Sequence, residues 1–227
     1  MLVPAWSVRK QRAFTADPFE LPSHLILGAI AVLIEVYLQT FARVTFAVAF
    51  RDKEVVATAF NEDPKTSQRS ILSKLPLNEP FQVCDAPTTQ AEKALQTLKA
   101  IYGGKTPDTQ LKLATGHLPS YTKKVLSATQ AVPVGYVTTY GSIARAVGGG
   151  PRAVGNSMAC NQYPIIVPCH RVVKSDFGLG GYGAGGLGVK LAFLKRERRG
   201  YTELKIIQLL DGELQVYPVE QVLSKYP

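Results

Sequence analysis

The chain has 227 residues, of which 46% are hydrophobic and 19% charged, and its formal net charge is +9. This composition excludes an intrinsically disordered chain, and the length suffices for one or two domains with buried cores. The three cysteines are an odd number, and their spacing matches neither a disulfide framework nor a zinc motif, which favours reduced thiols.

Positive charge is concentrated in one part of the chain. Residues 119–200 contain 11 basic and 2 acidic side chains, whereas residues 1–118 contain 13 and 11, and residues 201–227 contain 2 and 4. Such a localised basic field is typical of proteins that bind a polyanion. A basic surface that served solubility alone would be distributed more evenly.

We interpret residues 1–24 as a leader segment. One interpretation of this segment is that it is disordered. Basic residues before the apolar run Leu25–Ile34 imitate a secretory signal peptide. However, the acidic residues Asp17 and Glu20 lie between these basic residues and the run, and no small-residue cleavage site follows. The run is also too short to span a bilayer. We therefore expect no membrane segment here, and predict that the run packs in the core of a domain covering residues 25–115.

Within that domain, segments rich in Val, Ile, Thr, Tyr and Phe predict a three-stranded antiparallel sheet. The predicted strands are Val32–Gln39, Arg43–Phe50 and Glu54–Phe60, and Phe81–Cys84 is a candidate for a further strand. The predicted helices are Lys65–Leu75, which follows Pro64, and Thr88–Tyr102, which ends at two glycines. Residues 106–119 read as a linker.

The next domain, residues 116–200, begins with three short predicted helices. They are Tyr121–Ala131 with Ser120 as its cap, Tyr140–Val147, and a third running from Pro151 to about Cys160. Only three consecutive glycines separate the second helix from the third. Two short helices joined by a glycine turn predict a helix-turn-helix, although many helical corners share this pattern. The surrounding basic charge favours the DNA-binding interpretation.

The most informative stretch is Pro164-Ile165-Ile166-Val167-Pro168-Cys169-His170-Arg171-Val172-Val173. Its apolar residues predict a short buried strand interrupted by a turn. A buried strand has no structural need for Cys-His-Arg at its centre. A lone cysteine is most often a core residue, so the argument for chemistry depends on the neighbours of this one.

The remainder of the chain predicts a loop, a helix and a hairpin. Glycine-rich residues 178–186 would let the backbone approach a ligand closely. Helix Leu187–Arg199 is predicted next, ending at Gly200. In the C-terminal extension, residues 201–227, the segments Leu204–Leu210 and Glu213–Tyr217 flank Asp-Gly, a strong signal for a β-hairpin.

The segment Pro151–Pro164, together with Pro-Cys-His-Arg-Val at residues 168–172, closely resembles the core signature of the O6-alkylguanine-DNA alkyltransferases. The resemblance covers roughly residues 121–199, and neither the leader nor the extension has a counterpart in it. It implies an α+β fold: an N-terminal RNase H-like domain with the three-stranded antiparallel sheet and helices, and a C-terminal, mostly helical domain with the helix-turn-helix.

The resemblance also implies DNA repair by direct damage reversal. The alkyl group of O6-alkylguanine, and also of O4-alkylthymine, would pass irreversibly and stoichiometrically to Cys169 after base flipping. A free thiol has a pKa near ~8.5 and needs activation. The family network for activation is Cys169, a water molecule, His170 and the carboxylate of Glu197, and Tyr140 matches the tyrosine that donates to the leaving guanine. The residues alone also allow a solvated helix carboxylate and a half-buried core tyrosine.

On the DNA side, Arg152 matches the family's intercalating arginine, whereas a phosphate contact is the commoner role of an arginine in such a helix. Small side chains at Ala153 and Gly155 would let this helix enter the minor groove. Asn161 matches the hinge between the helix-turn-helix and the active-site turn. The base pocket would be lined, largely by backbone groups, by Val172, Tyr182 and Gly183.

Two other functions fit parts of the pattern: a non-enzymatic DNA binder, either a helix-turn-helix regulator or an alkyltransferase-like damage sensor, and a cysteine hydrolase. Sensors lack the cysteine, and hydrolases usually take their histidine from a distant part of the sequence. We therefore expect a monomeric alkyltransferase that acts on double-stranded DNA carrying O6-alkylguanine and needs neither metal nor cofactor. We expect it in the cytoplasm of a prokaryote, associated with the nucleoid, or in the nucleus of a eukaryote.

Overall fold

A computed structural model of the chain describes residues 33–107, 109–210 and 212–227. The predicted leader, most of the apolar run Leu25–Ile34 and Asp211 lie outside these residues. The described chain forms an α+β fold, as predicted, with two small four-stranded sheets and seven helices. None of these helices has both the length and the apolar character needed to cross a membrane.

The first sheet has the strand order β3-β2-β1-β4. The predicted antiparallel meander is confirmed as β1 (Ile34–Phe41), β2 (Val44–Arg51) and β3 (Glu54–Asn61). The candidate further strand, Phe81–Cys84, is confirmed as β4, which pairs with β1 in parallel and extends the predicted three-stranded sheet to four strands. This edge strand is only four residues long and mostly exposed, so its sequence lacks the alternation that marks a half-buried strand.

One helix packs on each face of this sheet. In α1 (Pro64–Leu72), Ile71 joins the core cluster of Ala47 and Ala49, whereas α2 (Thr89–Tyr102) packs against Phe46 and Val48. These β2 residues alternate along the strand and therefore point to opposite faces. Both helices begin at a capping side chain that accepts a backbone N–H, Asp63 for α1 and Thr88 for α2.

The second half of the chain contains the remaining helices. They are α3 (Ser120–Gln130), α4 (Tyr140–Val147), α5 (Pro151–Ala159), α6 (Gly186–Arg196) and the short α7 (Glu220–Leu223). The predicted cap of the first of these is wrong. Ser120 is its first helical residue, because Pro119 occupies the N-cap position in an extended conformation and its carbonyl accepts the N–H of Lys123.

The second sheet has the order β6-β5-β8-β7. Its strands are β5 (Tyr136–Thr139), β6 (Val172–Val173), β7 (Lys205–Leu209) and β8 (Gly212–Pro218). Strands β7 and β8 pair antiparallel, as the predicted hairpin requires, and β8 also pairs antiparallel with β5. The description of this half as mostly helical therefore omits a sheet, half of which comes from the C-terminal extension.

The core connects the two halves at the Cys-His-Arg stretch. One cluster of buried side chains joins Phe46 and Leu95 of the first half to Tyr163, Ile165 and Phe193 of the second. The stretch that precedes Cys-His-Arg consequently rests on the first sheet and its helix. The predicted domain boundaries stay predictions.

Candidate functional site

The Cys-His-Arg stretch is the predicted turn, and the strand resumes after it as predicted, but the first half of the predicted strand, beginning at Ile165, is wrong. Residues Cys169–Arg171 form a single 3-10 turn, and only Val172–Val173 pair as a strand. Ile165 has a φ of 78°, a left-handed conformation that is rare for a β-branched residue. The N–H of Val167 returns to the carbonyl of Tyr163 at 2.9 Å. The segment between the two prolines therefore folds back on itself instead of extending.

Asn161 holds this turn from the end of α5. Its Nδ2 donates to the carbonyl of Val167 at 3.1 Å, and its Oδ1 accepts the N–H of Tyr163 at 2.9 Å. The amide side chain thereby bridges the start and the end of the turned segment. Asn161 therefore connects the end of α5 to the segment before Cys169.

The first sheet holds the same segment from the other side. Thr58 in β3 donates its hydroxyl to the carbonyl of Pro164 at 2.7 Å and its N–H to the carbonyl of Gln162 at 2.9 Å. The ammonium group of Lys74 donates to the carbonyl of Thr58 at 2.7 Å. The two bonds donated by Thr58 join residues about a hundred positions apart, and they fix the turn against β3.

Behind the cysteine lies a buried cluster of three charged or titratable side chains. His170 Nε2 is 2.8 Å from Glu197 Oε1, and the side chains of both residues are 0% exposed. Arg171 binds the same carboxylate with two bonds of 2.9 Å, from Nε to Oε2 and from Nη2 to Oε1. A third donor of Arg171 bonds to the carbonyl of Val132. The fork geometry makes Arg171 the counter-ion of Glu197.

The environment fixes the protonation of this cluster. Burial alone would raise the pKa of Glu197, but His170 and Arg171 lower it to about 2, so the carboxylate is ionised. Burial lowers the pKa of His170, against the effect of Glu197, so the imidazole is neutral near pH 7. A carboxylate only accepts, so we assign the ring proton to Nε2. Nδ1 is buried and finds no partner among the described residues, which leaves its lone pair able to accept a proton.

Cys169 is half-buried next to this cluster. Burial raises the pKa of its thiol, and a hydrogen bond from Asn161 and the charges of Lys190 and Lys74 oppose the increase only in part. The thiol is therefore protonated at neutral pH and needs a base to become a nucleophile. Burial also lowers the pKa of each lysine to about 8, while the thiolate opposes this change.

Helix α6 presents one buried face to the site. Lys190, Phe193, Leu194 and Glu197 recur at the spacing of a single helical face, and all four are buried. The ring of Phe193 stacks on the imidazole of His170 with centroids 4.5 Å apart. The predicted helix end at Arg199 is wrong, because α6 ends at residue 196 and Glu197 is its C-cap. The carboxylate is thus a buried group and not a solvated one.

The sequence interpretation missed three charged residues of this region: Arg171, Lys190 and Lys74. The sequence showed Arg171 only as the fourth residue of the Pro-Cys-His-Arg motif. Lys190 could have been found, because it shares the apolar face of α6 with Phe193 and Leu194, where a lysine must be buried. Nothing in the sequence pattern points to Lys74, which reaches the region from the end of α1.

The predicted pocket residues surround the loop between β6 and α6. Tyr140 is half-buried as the first residue of α4, and its ring lies so close to Gly180 that an added Cβ there would be 3.1 Å from Cε2. Lys190 donates to the carbonyls of Val172, at 2.6 Å, and Gly181, at 3.2 Å. The hydroxyl of Tyr182 is buried and without a partner in the described parts of the chain. Burial and the Cys169 charge raise the pKa of Tyr140 and of Tyr182.

The predicted DNA-contacting residues lie on α5. Arg152 is exposed near its N-terminus, followed by Ala153 and Gly155, which are half-buried. A Cβ added at Gly155 would meet no atom within 4 Å, and the same holds for Gly183 in the β6–α6 loop. Packing within the protein therefore does not require glycine at either position. Both glycines leave room for a ligand to approach the backbone.

The ionised Glu197 gives a prediction for acid stability. Its pKa falls from an ordinary 4.5 to about 2 on folding, so its ionisation stabilises the fold above about pH 4.5, and this contribution is lost as the pH falls towards 2. The loss amounts to about 3 kcal/mol. Glu197→Gln should be much less stable than the wild type at pH 7, and the difference should shrink on acidification. Urea unfolding at a series of pH values measures this.

The control for losing one carboxylate is Glu203→Gln, at an exposed position. It should leave the urea midpoint close to that of the wild type across the series. A stability difference for Glu197→Gln that stays constant from pH 7 to pH 3 would contradict an ionised, paired carboxylate.

Comparison with known proteins places the site in a family. A family model described as the DNA binding domain of 6-O-methylguanine DNA methyltransferase matches residues 120–199. A methylated-DNA–protein-cysteine methyltransferase of Methanocaldococcus jannaschii is 34% identical over 127 residues, covering 55% of this chain and 75% of that protein. The O6-methylguanine-DNA methyltransferase structure from Pyrococcus kodakaraensis has a TM-score of 0.56 at 31% identity, covering 72% of this chain and 98% of its own.

Fold and site together define a class, the α+β proteins in which a cysteine-centred site follows a pair of short helices. The chain belongs to the methylated-DNA–protein-cysteine methyltransferase family, which confirms the resemblance seen in the sequence. A methylated-DNA–protein-cysteine methyltransferase of Pyrobaculum aerophilum is 58% identical over 66 residues, or 29% of this chain. The chain spans 44% of that relative and 64% of one from Methanothermobacter thermautotrophicus, less than two thirds of either.

Proposed function

We propose that this protein repairs DNA by moving the alkyl group of O6-alkylguanine, or of O4-alkylthymine, onto Cys169 in one irreversible event. The observation that carries the proposal is the buried His170–Glu197–Arg171 cluster beside Cys169, within the segment that matches the family. The site holds a protonated thiol and a neutral imidazole with a free lone pair. A nucleophile and an adjacent base are the two groups that such a transfer needs.

In the transfer, the Cys169 sulfur bonds to the alkyl carbon while the bond from that carbon to guanine O6 breaks, and the electron pair stays on the guanine. The thiol proton moves to Nδ1 of His170 through a water molecule. Glu197 stabilises the imidazolium, as a carboxylate does in other catalytic pairs. Tyr140 donates a proton to the guanine and is reprotonated from solvent, and the His170 imidazolium releases the former thiol proton to solvent, so that the protons balance. The thioether product has no leaving group that water could displace, which makes the event single-turnover.

The α4–α5 pair acts in this proposal as the helix-turn-helix that binds DNA. Helix α5 enters the minor groove, where the small Ala153 and Gly155 allow close approach, and Arg152 fills the space left by the flipped base. Support comes from the exposure of Arg152, the open space beside Gly155 and the basic charge of residues 119–200. Minor-groove contacts discriminate poorly among sequences, so binding should depend little on sequence.

The flipped base enters a pocket formed by Tyr140, Val172, Tyr182 and Gly183. Lys190 supports this pocket because it holds the carbonyls of Val172 and Gly181 in fixed positions. Asn161 couples the pocket to α5 through its bonds to the turn. Backbone groups of the pocket would then recognise the edge of the guanine.

The finer architecture follows the same proposal. Residues 25–115 correspond to an RNase H-like domain, residues 116–200 to the DNA-binding and alkyl-accepting domain, and residues 201–227 to an extension. The protein acts as a monomer, without a cofactor. It works where the DNA is, in the nucleoid region of a prokaryotic cytoplasm or in a eukaryotic nucleus.

Intact mass spectrometry after mixing with duplex DNA that carries O6-methylguanine tests the proposal. We expect one added alkyl group per protein molecule, mapped to Cys169, and no further reaction after one equivalent. Many turnovers per molecule would rule the mechanism out. A transient adduct would favour the cysteine hydrolase, and DNA binding with no adduct would favour a regulator or a damage sensor.

A further inference from the structure

The C-terminal extension contacts the loop that leads into the proposed pocket. This β6–α6 loop, residues 174–185, joins the strand after Cys-His-Arg to helix α6. Its backbone is strained at Phe177, a bulky residue with a φ of 61°. A loop in this conformation keeps it only if surrounding structure enforces it.

From the inside, the loop is held by the site itself. Lys190 bonds to the carbonyl of Gly181, and the ring of Tyr140 packs against Gly180, which has a left-handed φ of 68°. These contacts involve residues 180 and 181 of the loop. Residues 174–178 close a turn of their own, in which the N–H of Lys174 bonds to the carbonyl of Gly178 at 2.9 Å and the N–H of Phe177 bonds to the carbonyl of Lys174 at 3.0 Å.

From the outside, residues 174–179 are held by the extension. The hydroxyl of Tyr226 accepts the N–H of Leu179 at 3.3 Å, and the ammonium group of Lys225 donates to the carbonyl of Asp176. The ring of Phe177 meets that of Tyr217 edge to face, with centroids 5.1 Å apart. The strained residue therefore packs directly on a side chain of β8.

The extension is itself firmly attached to the core. Val219 and Val222 are buried with Val137, Val173 and Leu179 in one cluster. Strand β8 pairs with β5, whose other neighbour is β6.

The extension is also bonded to the backbone that follows α6. There, Glu220 Oε1 accepts the backbone N–H groups of Arg199, at 3.2 Å, and Gly200, at 2.5 Å. The extension is thus attached both to the second sheet and to the loop.

We propose that residues 201–227 are a brace that holds the β6–α6 loop in the conformation that forms the substrate pocket. This inference rests on the proposed function, since it assigns the loop to base binding. Residues 201–227 lie beyond the segment that the model of the DNA binding domain matches, which ends at residue 199. Tyr226 is then a positioning residue: it acts on the substrate through Leu179 and the loop, and not through Cys169.

The test compares Tyr226→Phe and Tyr226→Ala with the wild type in reaction with free O6-benzylguanine. Loss of the hydroxyl should raise the half-saturating concentration of O6-benzylguanine about twofold, and loss of the whole side chain about tenfold, as expected for one hydrogen bond and its packing. The maximal rate of transfer should stay close to that of the wild type. Amide hydrogen exchange in residues 174–185 should become faster.

Two controls separate positioning from general damage. Gln208→Ala removes a hydrogen bond inside the hairpin, to Glu213, and should change none of these quantities. Alkylation of Cys169 by iodoacetamide, which needs no pocket, should keep the same rate and pH profile in every variant.

An unchanged half-saturating concentration, or an iodoacetamide rate that falls in parallel, would overturn the brace. If the wild type itself fails to react with O6-benzylguanine or with alkylated duplex, the proposed function fails instead. The hydrogen exchange of residues 174–185 still decides in that case whether Tyr226 holds the loop.

Discussion

Replacing Cys169 with alanine is expected to abolish alkyl transfer completely and to leave the affinity for undamaged duplex DNA essentially unchanged. The sulfur is the acceptor of the alkyl group in the proposed transfer, and the methyl side chain of alanine cannot replace it. The basic residues that would contact phosphates belong to other side chains, such as Arg152 on α5. Transfer of a labelled methyl group from duplex DNA, measured beside a binding titration of the same variant, gives both quantities.

The two remaining cysteines are the matched controls. Cys160 is exposed just beyond α5, and Cys84 is half-buried at the end of β4. Alanine at either position should leave the transfer complete and stoichiometric. Label retained by Cys169→Ala, and mapped to Cys84 or Cys160, would contradict the assignment of the acceptor.

Replacing Arg152 with alanine should slow the repair of duplex substrate by about two orders of magnitude. If this side chain fills the place of the flipped base, its loss leaves the unstacking cost of a few kcal/mol uncompensated. Free O6-benzylguanine needs no flipping, so its reaction should change little. Single-turnover rates on both substrates measure the ratio. An equal loss of rate on the duplex and on free O6-benzylguanine would contradict the intercalating role of Arg152 and would indicate a disturbed site.

Glu197→Gln provides the contrast, because the carboxylate acts on the nucleophile and not on the DNA. It should slow duplex and free-base reactions by similar factors. Burial raises the pKa of the Cys169 thiol, so the thiolate forms unaided only at high pH, and the loss should shrink there. A variant with full activity at neutral pH would remove Glu197 from the mechanism.

Much of the fold follows from local sequence patterns. The meander β1–β3, the helices α2, α4 and α5, and the C-terminal hairpin were predictable to within a few residues. In these elements apolar periodicity, capping side chains and glycine breaks all indicate the same structure. The outer strand β4 was predictable only as a candidate, and the pairing of β5 with β6 was not predictable, because strands of four or two residues are too short to show a period.

The residues of the candidate site that belong to a sequence motif were predictable. The contacts between segments that are distant in the sequence were not. Cys169, His170 and Glu197 could be named from the sequence, and so could a turn that interrupts the strand, but the folding back of the segment before Cys169 could not. The apolar residues between Pro164 and Pro168 predict a strand, whereas the left-handed Ile165 and the hydrogen bonds of Asn161 turn this segment back on itself. Lys74 reaches the region through the first sheet, and no local pattern encodes such a contact.

The hydrogen bonds donated by Thr58 concern whether the segment that carries the family signature could work without the first half of the chain. The matched segment begins at residue 120, yet Thr58 in β3 supplies two of the hydrogen bonds that hold the turn before Cys169. A fragment excised at the linker would keep the motif, its histidine and its glutamate, but would leave the carbonyls of Gln162 and Pro164 without those donors. Grafting the motif onto another scaffold would meet the same difficulty. The smallest piece of chain able to aim the thiol is therefore larger than the piece that identifies the family.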